Sequence, residues 1–572
     1  MQRLQRKGSI DTLGPGEGNW SEALETHWSQ DNVILFIGAA GAVTRLISRL
    51  LRGKDHDPAV LVLDPKGQWI IPLLGGHSSG AEQLAREYAA DLGGEAVLTG
   101  AAASQQRLAL DQFGKAWGWK RGGRTEAWRQ LMQQQARGQM ATIEQNSGLT
   151  PWRDSANHPL LAETDNSTAQ LSIGPDQNSA CRWHPACAWI GVGCERNTSL
   201  RLVERAVDKA LEQAEVAIEA VAGIASADRK ADEAALLTLV KQRQWTFRTF
   251  CAEELNQVAV PTPSERVRDE MGTASVAEAA ALLASGQTGK LRQIKRIERA
   301  ACGEQGAATV AIAISQEAHA PQRGELHLIG SGPGDLSLLS TDARHALTRC
   351  VAWVGYSLYL DLLEPLRRID QARIEGQLTR EWDRCEEALA MAQQGAKVAL
   401  ISSGDSGIYG MAGLALELWL QQPQEARPSF EVHPGISALQ LAAARVGAPL
   451  MHDFCTISLS DRLTPWPVIE QRLTAAAEGD FVVALYNPRS KGRDWQLGRA
   501  RELLLNKRDG STPVAVAHQL GRVDEKVSLT TLDALDPVSI DMLTLVLVGN
   551  SSTYLINGRM ATPRGYPGSQ KH

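Results

Sequence analysis

Short apolar runs recur along most of the chain, each closed by a glycine- or proline-rich turn and followed by an amphipathic stretch. Asn32–Gly38 (NVILFIG) reads as a buried strand and Ala42–Arg52 as an amphipathic helix. Val60–Asp64 and Trp69–Pro72 are strands joined by the turn Pro65-Lys66-Gly67, and Gly80–Leu92 has the apolar spacing of a helix before a short strand at Ala96–Thr99. This alternation predicts a small α/β domain over residues 31–115, behind a flexible polar tail over 1–30. Residues 116–185 break the pattern. They are rich in Gln, Arg, Ser and Asn, show one helix near Trp128–Gln135, and read as a connecting segment.

A second α/β domain is expected over 186–314. It opens on the strand Ala188–Cys194, runs through helices at Ser199–Ala214, after Lys230 and at Ser275–Ala284, and ends on the strand Ala308–Ile314. The polar run 315–323, with Pro321, is a linker. From 324 to 572 the pattern resumes, with strands at Glu325–Ile329, Val351–Val354, Val398–Ser402, Glu431–His433, Phe481–Leu485, Val514–His518 and Leu543–Val548. Each side of the linker has its own strands and helices, so a cut near Pro321 is expected to release two independently folded fragments.

At 572 residues the chain is too long for one core, and its 43% hydrophobic content is that of a globular protein. A net charge of −6 argues against a nucleic-acid partner. No apolar run approaches the roughly 20 residues that span a bilayer. Basic residues near Met1 are followed by no apolar stretch, and eight cysteines are too few for a disulfide framework, so a cytoplasmic location is expected. Cys181, His184, Cys187 and Cys194 have the residue types of a zinc site. Cys187 and Cys194, however, flank a strand about 20 Å long and cannot share an ion without a fold-back. No protein-bound metal is expected.

Small residues gather where the C-terminal strands end. Gly330-Ser331-Gly332-Pro333-Gly334-Asp335 follows the first strand, and Ser403-Gly404-Asp405-Ser406-Gly407-Ile408-Tyr409-Gly410 follows the third. Pro434-Gly435-Ile436-Ser437, Tyr486-Asn487-Pro488-Arg489 and Gly549-Asn550 close later strands. Glycines there let the backbone approach a ligand, as at the cleft of an open α/β sheet. Asp335 stands where a dinucleotide pyrophosphate would sit, so a dinucleotide is disfavoured.

Together with VGYSLYLDLL, HPGISALQLAAARVGAPLMHDF and LYNPRSKGR, these loops resemble the tetrapyrrole methylase family over about residues 324–572, most nearly its precorrin-3B C17-methyltransferase branch. The resemblance implies an α/β multidomain chain ending in a two-lobed tetrapyrrole methylase fold, divided near 436–450 and usually a homodimer through that domain. It implies S-adenosyl-L-methionine between the lobes, and C17 methylation of a precorrin-type, cobalt-bearing macrocycle with ring contraction. On it, Gly330, Gly332, Pro333, Gly334, Asp335, Ser403, Gly404, Asp405, Ile408, Tyr409, Ser437, Tyr486 and Asn487 are expected to hold the cofactor. Asp405 is also a candidate at the reacting centre, or an Asx-turn residue. His452 and Asp453 suit proton transfer or a structural pair. Arg489, Lys491 and Arg493 suit the substrate's carboxylates or a solvated loop.

In the N-terminal half, DPAV at Asp57–Val60 and Ile71–His77 (IPLLGGH) stand beside Gly191–Ser199 (GVGCERNTS), Lys230–Glu233 (KADE), Pro263-Ser264-Glu265 and Thr273–Ala280 (TASVAEAA). These resemble cobalt-precorrin-5A hydrolase over about 32–110 and 186–314, which opens a ring-A lactone and releases acetaldehyde. That family commonly has Gly-Gly-Ala-Asn after the histidine, where this chain has Ser79-Gly80-Ala81-Glu82. His77 is the candidate base, or a turn-capping histidine. Cys194 fits a reactive or a buried structural thiol, and Lys230 and Glu233 fit a pair on one helix face. The competing reading keeps a methyltransferase for another macrocycle carbon and makes the N-terminal half a non-catalytic binding module.

Overall fold

The computed structural model describes residues 14, 19–29, 32–53, 56–75, 80–99, 108–154, 161–164, 169–177, 179–320, 323–368, 370–377, 380–490 and 492–566. Five principal α/β sheets follow one another along the chain. In the first, Val33–Ile37, Ala59–Leu63, Trp69–Leu74 and Glu95–Ala96 lie in chain order. Ala59–Leu63 is internal and buried at every position, as its unbroken AVLVL run requires.

Residues 116–185, read from composition as a connecting segment, form most of a packed unit. Lys120–Gly123, Cys181–His184, Leu171–Ile173, Ala141–Gln145 and Leu161–Glu163 make a five-stranded sheet in that order. Its core is built from Phe113, Trp117, Trp119, Trp128, Trp152 and Trp183 rather than from aliphatic stripes. Phe113 meets Trp119 and Trp183 edge-on, with centroids 5.8 and 6.0 Å apart. Strands of three to five residues anchored by single tryptophans leave little periodicity to read.

That core does not stop at the linker. Leu326, Leu328, Val398 and Leu400, from strands beyond residue 324, belong to the same buried cluster. At Gly118 a Cβ would lie 2.9 Å from the Gly395 carbonyl oxygen, so backbone meets backbone across the junction. Linker residues are also clasped: Gly148 N–H donates to Gln316 O (2.8 Å), His319 N–H to Ala186 O (2.6 Å) and Ala318 N–H to the Gln394 side chain (3.2 Å). Pro321 lies outside the described residues. The halves thus share a core where the sequence reading separated them.

The third sheet orders Thr246–Phe250, Val221–Ala227, Ala188–Cys194, Ala307–Ile314 and Lys290–Arg299, with a core of its own. After the linker, Ala372–Gly376, Ala352–Tyr356, Lys397–Ser402, Glu325–Gly330 and Ser429–His433 form a wholly parallel sheet. A second lobe follows, a mixed sheet ordered Phe454–Ser458, Val482–Tyr486, Thr544–Val548, Pro513–His518 and Lys526–Thr531. Helix Ala438–Val446 leads from one sheet toward the other.

Candidate functional site

Three loops leave the C-terminal ends of neighbouring parallel strands and meet backbone to backbone. Gly332 and Gly404 exchange two N–H···O bonds, at 3.0 and 2.8 Å, and Ser331 N–H donates to Ser402 O at 2.9 Å. A Cβ on Gly330 would lie 2.5 Å from Gly435 N, and one on Gly435 would lie 2.1 Å from Gly404 O. These two glycines are needed for packing. Gly332 and Gly404 differ: they adopt left-handed φ of +72° and +66°, and their Cβ directions meet nothing closer than 3.4 and 3.6 Å. Gly332 is buried and Gly404 half-buried, and neither carries a side chain over the strand ends.

Asp405 fastens this arrangement. One carboxylate oxygen accepts the Gly407 N–H at 2.8 Å, and the other accepts the Gly435 N–H at 3.1 Å. The Asx turn is therefore real, and the second oxygen ties the third-strand loop to the fifth. Ser437 is the N-cap of helix Ala438–Val446, its hydroxyl accepting from Gln440 N–H at 3.3 Å while Gln440 accepts from Ser437 N–H at 2.9 Å.

Second-lobe residues meet these loops. Tyr409, at φ +53° and half exposed, donates its hydroxyl to Thr456 O at 3.0 Å, and its ring lies 5.1 Å from that of Tyr486. The Tyr486 hydroxyl accepts the Leu439 N–H at 3.1 Å, and burial pushes its pKa up. Asn487, also left-handed at φ +52°, donates to the Ser458 hydroxyl at 3.0 Å. Pro333 and Gly334 lie against the 521–522 turn, where a Cβ on Gly521 would come within 2.9 Å of Pro333. Asp335 accepts the Ser337 N–H at 2.8 Å, which holds its carboxyl below the usual range. Ile408 is exposed, and Ser403 lies half-buried between Ser402 and Gly404.

Other candidates fall elsewhere. Asp453 O accepts the Val482 N–H at 3.0 Å, where strands Phe454–Ser458 and Val482–Tyr486 begin. Ser458, Tyr486 and Asn487 lie at the opposite ends of those strands, roughly 13–17 Å away at strand rise. His452 and Asp453 pair with each other (Nδ1 to Oδ2 3.4 Å) and are separated from the cleft loops. The structure therefore does not bring this pair to the cofactor-candidate loops: alternation in the sequence located the strand but not which of its ends those loops share. Arg489 donates to the Pro537 and Val538 carbonyls. Arg493 is buried and donates to the Ser490 hydroxyl at 3.1 Å, and burial lowers its pKa. Neither arginine is a freely solvated loop charge. Lys491 lies outside the described residues.

In the N-terminal half, His77 also lies outside the described residues. Cys194 ends the strand Ala188–Cys194, and burial pushes its thiol up to about 11, so it stays protonated near neutral pH. Lys230 and Glu233 are both buried and paired at 3.6 Å, and Glu233 accepts the Asn197 N–H at 3.0 Å. They join two strand-end loops rather than decorating a helix face. Glu278, fully buried, accepts from the Thr262 hydroxyl at 2.7 Å and Lys295 N–H at 3.1 Å, a role its alanine-rich neighbours in the sequence hide.

The fold and its glycine-lined strand ends define a two-lobed α/β ligand-binding domain carried behind further α/β domains. Residues 325–536 match the model of the Tetrapyrrole (Corrin/Porphyrin) Methylases, 188–313 the Cobalamin synthesis G C-terminus, and 22–103 the Cobalamin synthesis G N-terminal region. A probable cobalt-factor III C(17)-methyltransferase of Salmonella typhimurium is 49% identical over 241 residues, 42% of this chain and 99% of the relative. A precorrin-3B C(17)-methyltransferase of Sinorhizobium sp is 41% identical over 254 residues, 43% of this chain and 99% of the relative. The crystal structure of the methyltransferase CobJ is 37% identical, covering 42% of this chain and all of that one, at a TM-score of 0.41. The chain belongs to the tetrapyrrole methylase family, with that domain fused behind the two cobalamin synthesis G regions. It is a methyltransferase. Among the described residues no helix is long and apolar enough to cross a membrane.

Proposed function

We propose that the C-terminal half methylates C17 of a cobalt-factor III or precorrin-3-type macrocycle, with ring contraction, and that the N-terminal half hydrolyses the ring-A lactone of a later intermediate, releasing acetaldehyde. S-adenosyl-L-methionine supplies an already activated methyl group. The protein's main task is then to position donor and acceptor, which is worth roughly 7–11 kcal/mol. The observation that carries the reading is the glycine-lined junction where the Gly332, Gly404 and Gly435 loops meet, fastened through Asp405. Asp405 acts as a positioning residue, because both its oxygens already accept backbone N–H groups. Tyr409 and Tyr486 wall the cleft from the two lobes. Arg489 and Arg493, on the segment that follows Asn487, are the candidates for the macrocycle's carboxylates, and Arg493 has one buried guanidinium nitrogen without a hydrogen-bond partner. The methylase domain acts as a homodimer, and the protein works in the cytoplasm. Calorimetry tests the cofactor reading: S-adenosylhomocysteine should bind the full chain, while NAD and ATP should not.

For the hydrolase half, burial raises the Cys194 thiol to about 11, which disfavours a thiolate there, and His77 is the candidate base. His77→Ala should lower acetaldehyde release by about 10²–10⁴ and leave methyl transfer unchanged. Release at the wild-type rate would remove His77 from the mechanism.

A further inference from the structure

Two Glu-x-His pairs lie on adjacent strands of the parallel sheet: Glu325 and His327 on Glu325–Gly330, and Glu431 and His433 on the edge strand Ser429–His433. Alternation puts each pair on one face. Both imidazoles are buried, and His327 Nδ1 lies 2.9 Å from His433 Nε2. A Glu431 carboxylate oxygen stands 3.6 Å from the first nitrogen and 3.7 Å from the second.

The outer ring nitrogens are committed elsewhere. His327 Nε2 lies 2.9 Å from Glu325, itself held by Arg349 at 2.7 Å and Lys397 at 3.1 Å. His433 Nδ1 lies 2.6 Å from Asp342. Each outer N–H donates to a carboxylate, so each inner nitrogen presents a lone pair. Two lone pairs at this separation repel unless a cation lies between them. A shared proton would satisfy the two rings alone. It would also draw in the Glu431 carboxylate, so it is the three-way geometry together with the two outer carboxylates that points to a metal ion.

We propose that His327, His433 and Glu431 form a binding site for a divalent transition-metal ion of the zinc or cobalt(II) class. Tetrahedral zinc with ligand bonds near 2.05 Å places its ligand atoms about 3.3 Å apart, and the three separations here bracket that value. Two imidazoles and one carboxylate suit zinc or cobalt(II) and do not suit magnesium or calcium, which take oxygen ligands. Carboxylates on the outer nitrogens are the usual support of metal-bound histidines. Charge agrees: Glu325, Glu431 and Asp342 bring three negative charges, while Arg349 and Lys397, which pair with Glu325, bring two positive ones. His433 runs directly into Pro434-Gly435, so the ion would pin the edge strand and helix Thr341–Arg349 beneath the loop that Asp405 holds.

The test uses the full chain, stripped with EDTA and titrated separately with ZnCl2 and CoCl2 in the absence of tetrapyrrole. The proposal expects one tightly held equivalent, a tetrahedral ligand-field spectrum for cobalt(II) without thiolate charge-transfer bands, and a higher melting temperature. Asp342→Asn should weaken binding about 10–100-fold. Glu431→Ala, which removes an exposed side chain and so is compatible with folding, should weaken it at least as much. No bound equivalent, a thiolate spectrum, or wild-type affinity in folded Glu431→Ala would each overturn the site.

Discussion

Asp405 holds Gly435 in place: the carboxylate that closes its own turn at Gly407 also accepts the Gly435 N–H at 3.1 Å, joining loops 30 residues apart. Hydrogen bonds to a charged acceptor are worth about 1.5–3 kcal/mol. Asp405→Ala should therefore weaken S-adenosylhomocysteine binding on the order of 10–100-fold while the chain stays folded. Calorimetry on the purified variant checks this, and unchanged affinity would mean the clamp does not shape the cofactor site.

Two glycines separate packing from binding. Gly330→Ala forces a Cβ to within 2.5 Å of Gly435 N and should lower thermal stability, seen as a reduced melting temperature. Gly332→Val meets only ordinary contact with the Leu338 carbonyl at 3.4 Å but a left-handed φ of +72°, so it should leave a folded protein that no longer binds S-adenosylhomocysteine. A folded Gly332→Val chain with wild-type binding would take this loop out of the site.

The Lys230–Glu233 pair is buried, so removing one partner leaves the other charge uncompensated. Lys230→Met or Glu233→Gln alone should each cost about 3–5 kcal/mol, and the double variant should cost less than their sum. Urea unfolding of the three proteins measures the coupling. Additive losses would show that the two side chains do not act as a pair.

His319 gives the junction a pH dependence. Burial, then the nearby Arg323 and Arg248 charges, pull its pKa to about 3, and its ring lies 4.9 Å from that of Trp189. The unfolded ring titrates near 6.5, so the neutral form's contribution is complete above that pH and is lost as pH falls toward 3. Stability should drop by up to about 1.4 kcal/mol per pH unit for this one proton. His319→Gln should flatten the fall in urea midpoint between pH 6.5 and 4.5; an unchanged slope would assign the acid sensitivity to other groups.

Most of the C-terminal half was legible because its strands are apolar runs ending in glycine-rich turns, as at Val398–Gly410. Three kinds of element were not. Val221–Ala227 (VAGIASA) is a central strand of small residues without β-branched enrichment, and Lys290–Arg299 is a charged edge strand whose polarity hides it. The unit around Trp117, Trp128 and Trp183 uses a few large side chains in place of a periodic stripe. Of the candidate residues, the cleft loops were readable from their turns. Asp405 was readable as an Asx turn but not as a bridge to Gly435. His327 and His433 signal themselves only once the register of their two strands is known.

The shared core revises the expected independence of the halves. Separating the chain near residue 321 should loosen the junction where Ala372–Gly376 meets Pro151–Asp154 and Gly395 meets Gly118, so the 324–572 fragment should aggregate or lose stability relative to the intact chain. Light scattering and melting of that fragment decide it. A monodisperse fragment melting with the full-length protein would show that the shared core contributes nothing.

The most direct test of the account is the product formed when the intact chain meets a cobalt-precorrin-3 or cobalt-factor III preparation and S-adenosylmethionine. Mass spectrometry and NMR should find one added methyl group, at C17, on a ring-contracted macrocycle. Methylation at another carbon, or no methyl transfer by a folded chain that binds S-adenosylhomocysteine, would contradict it.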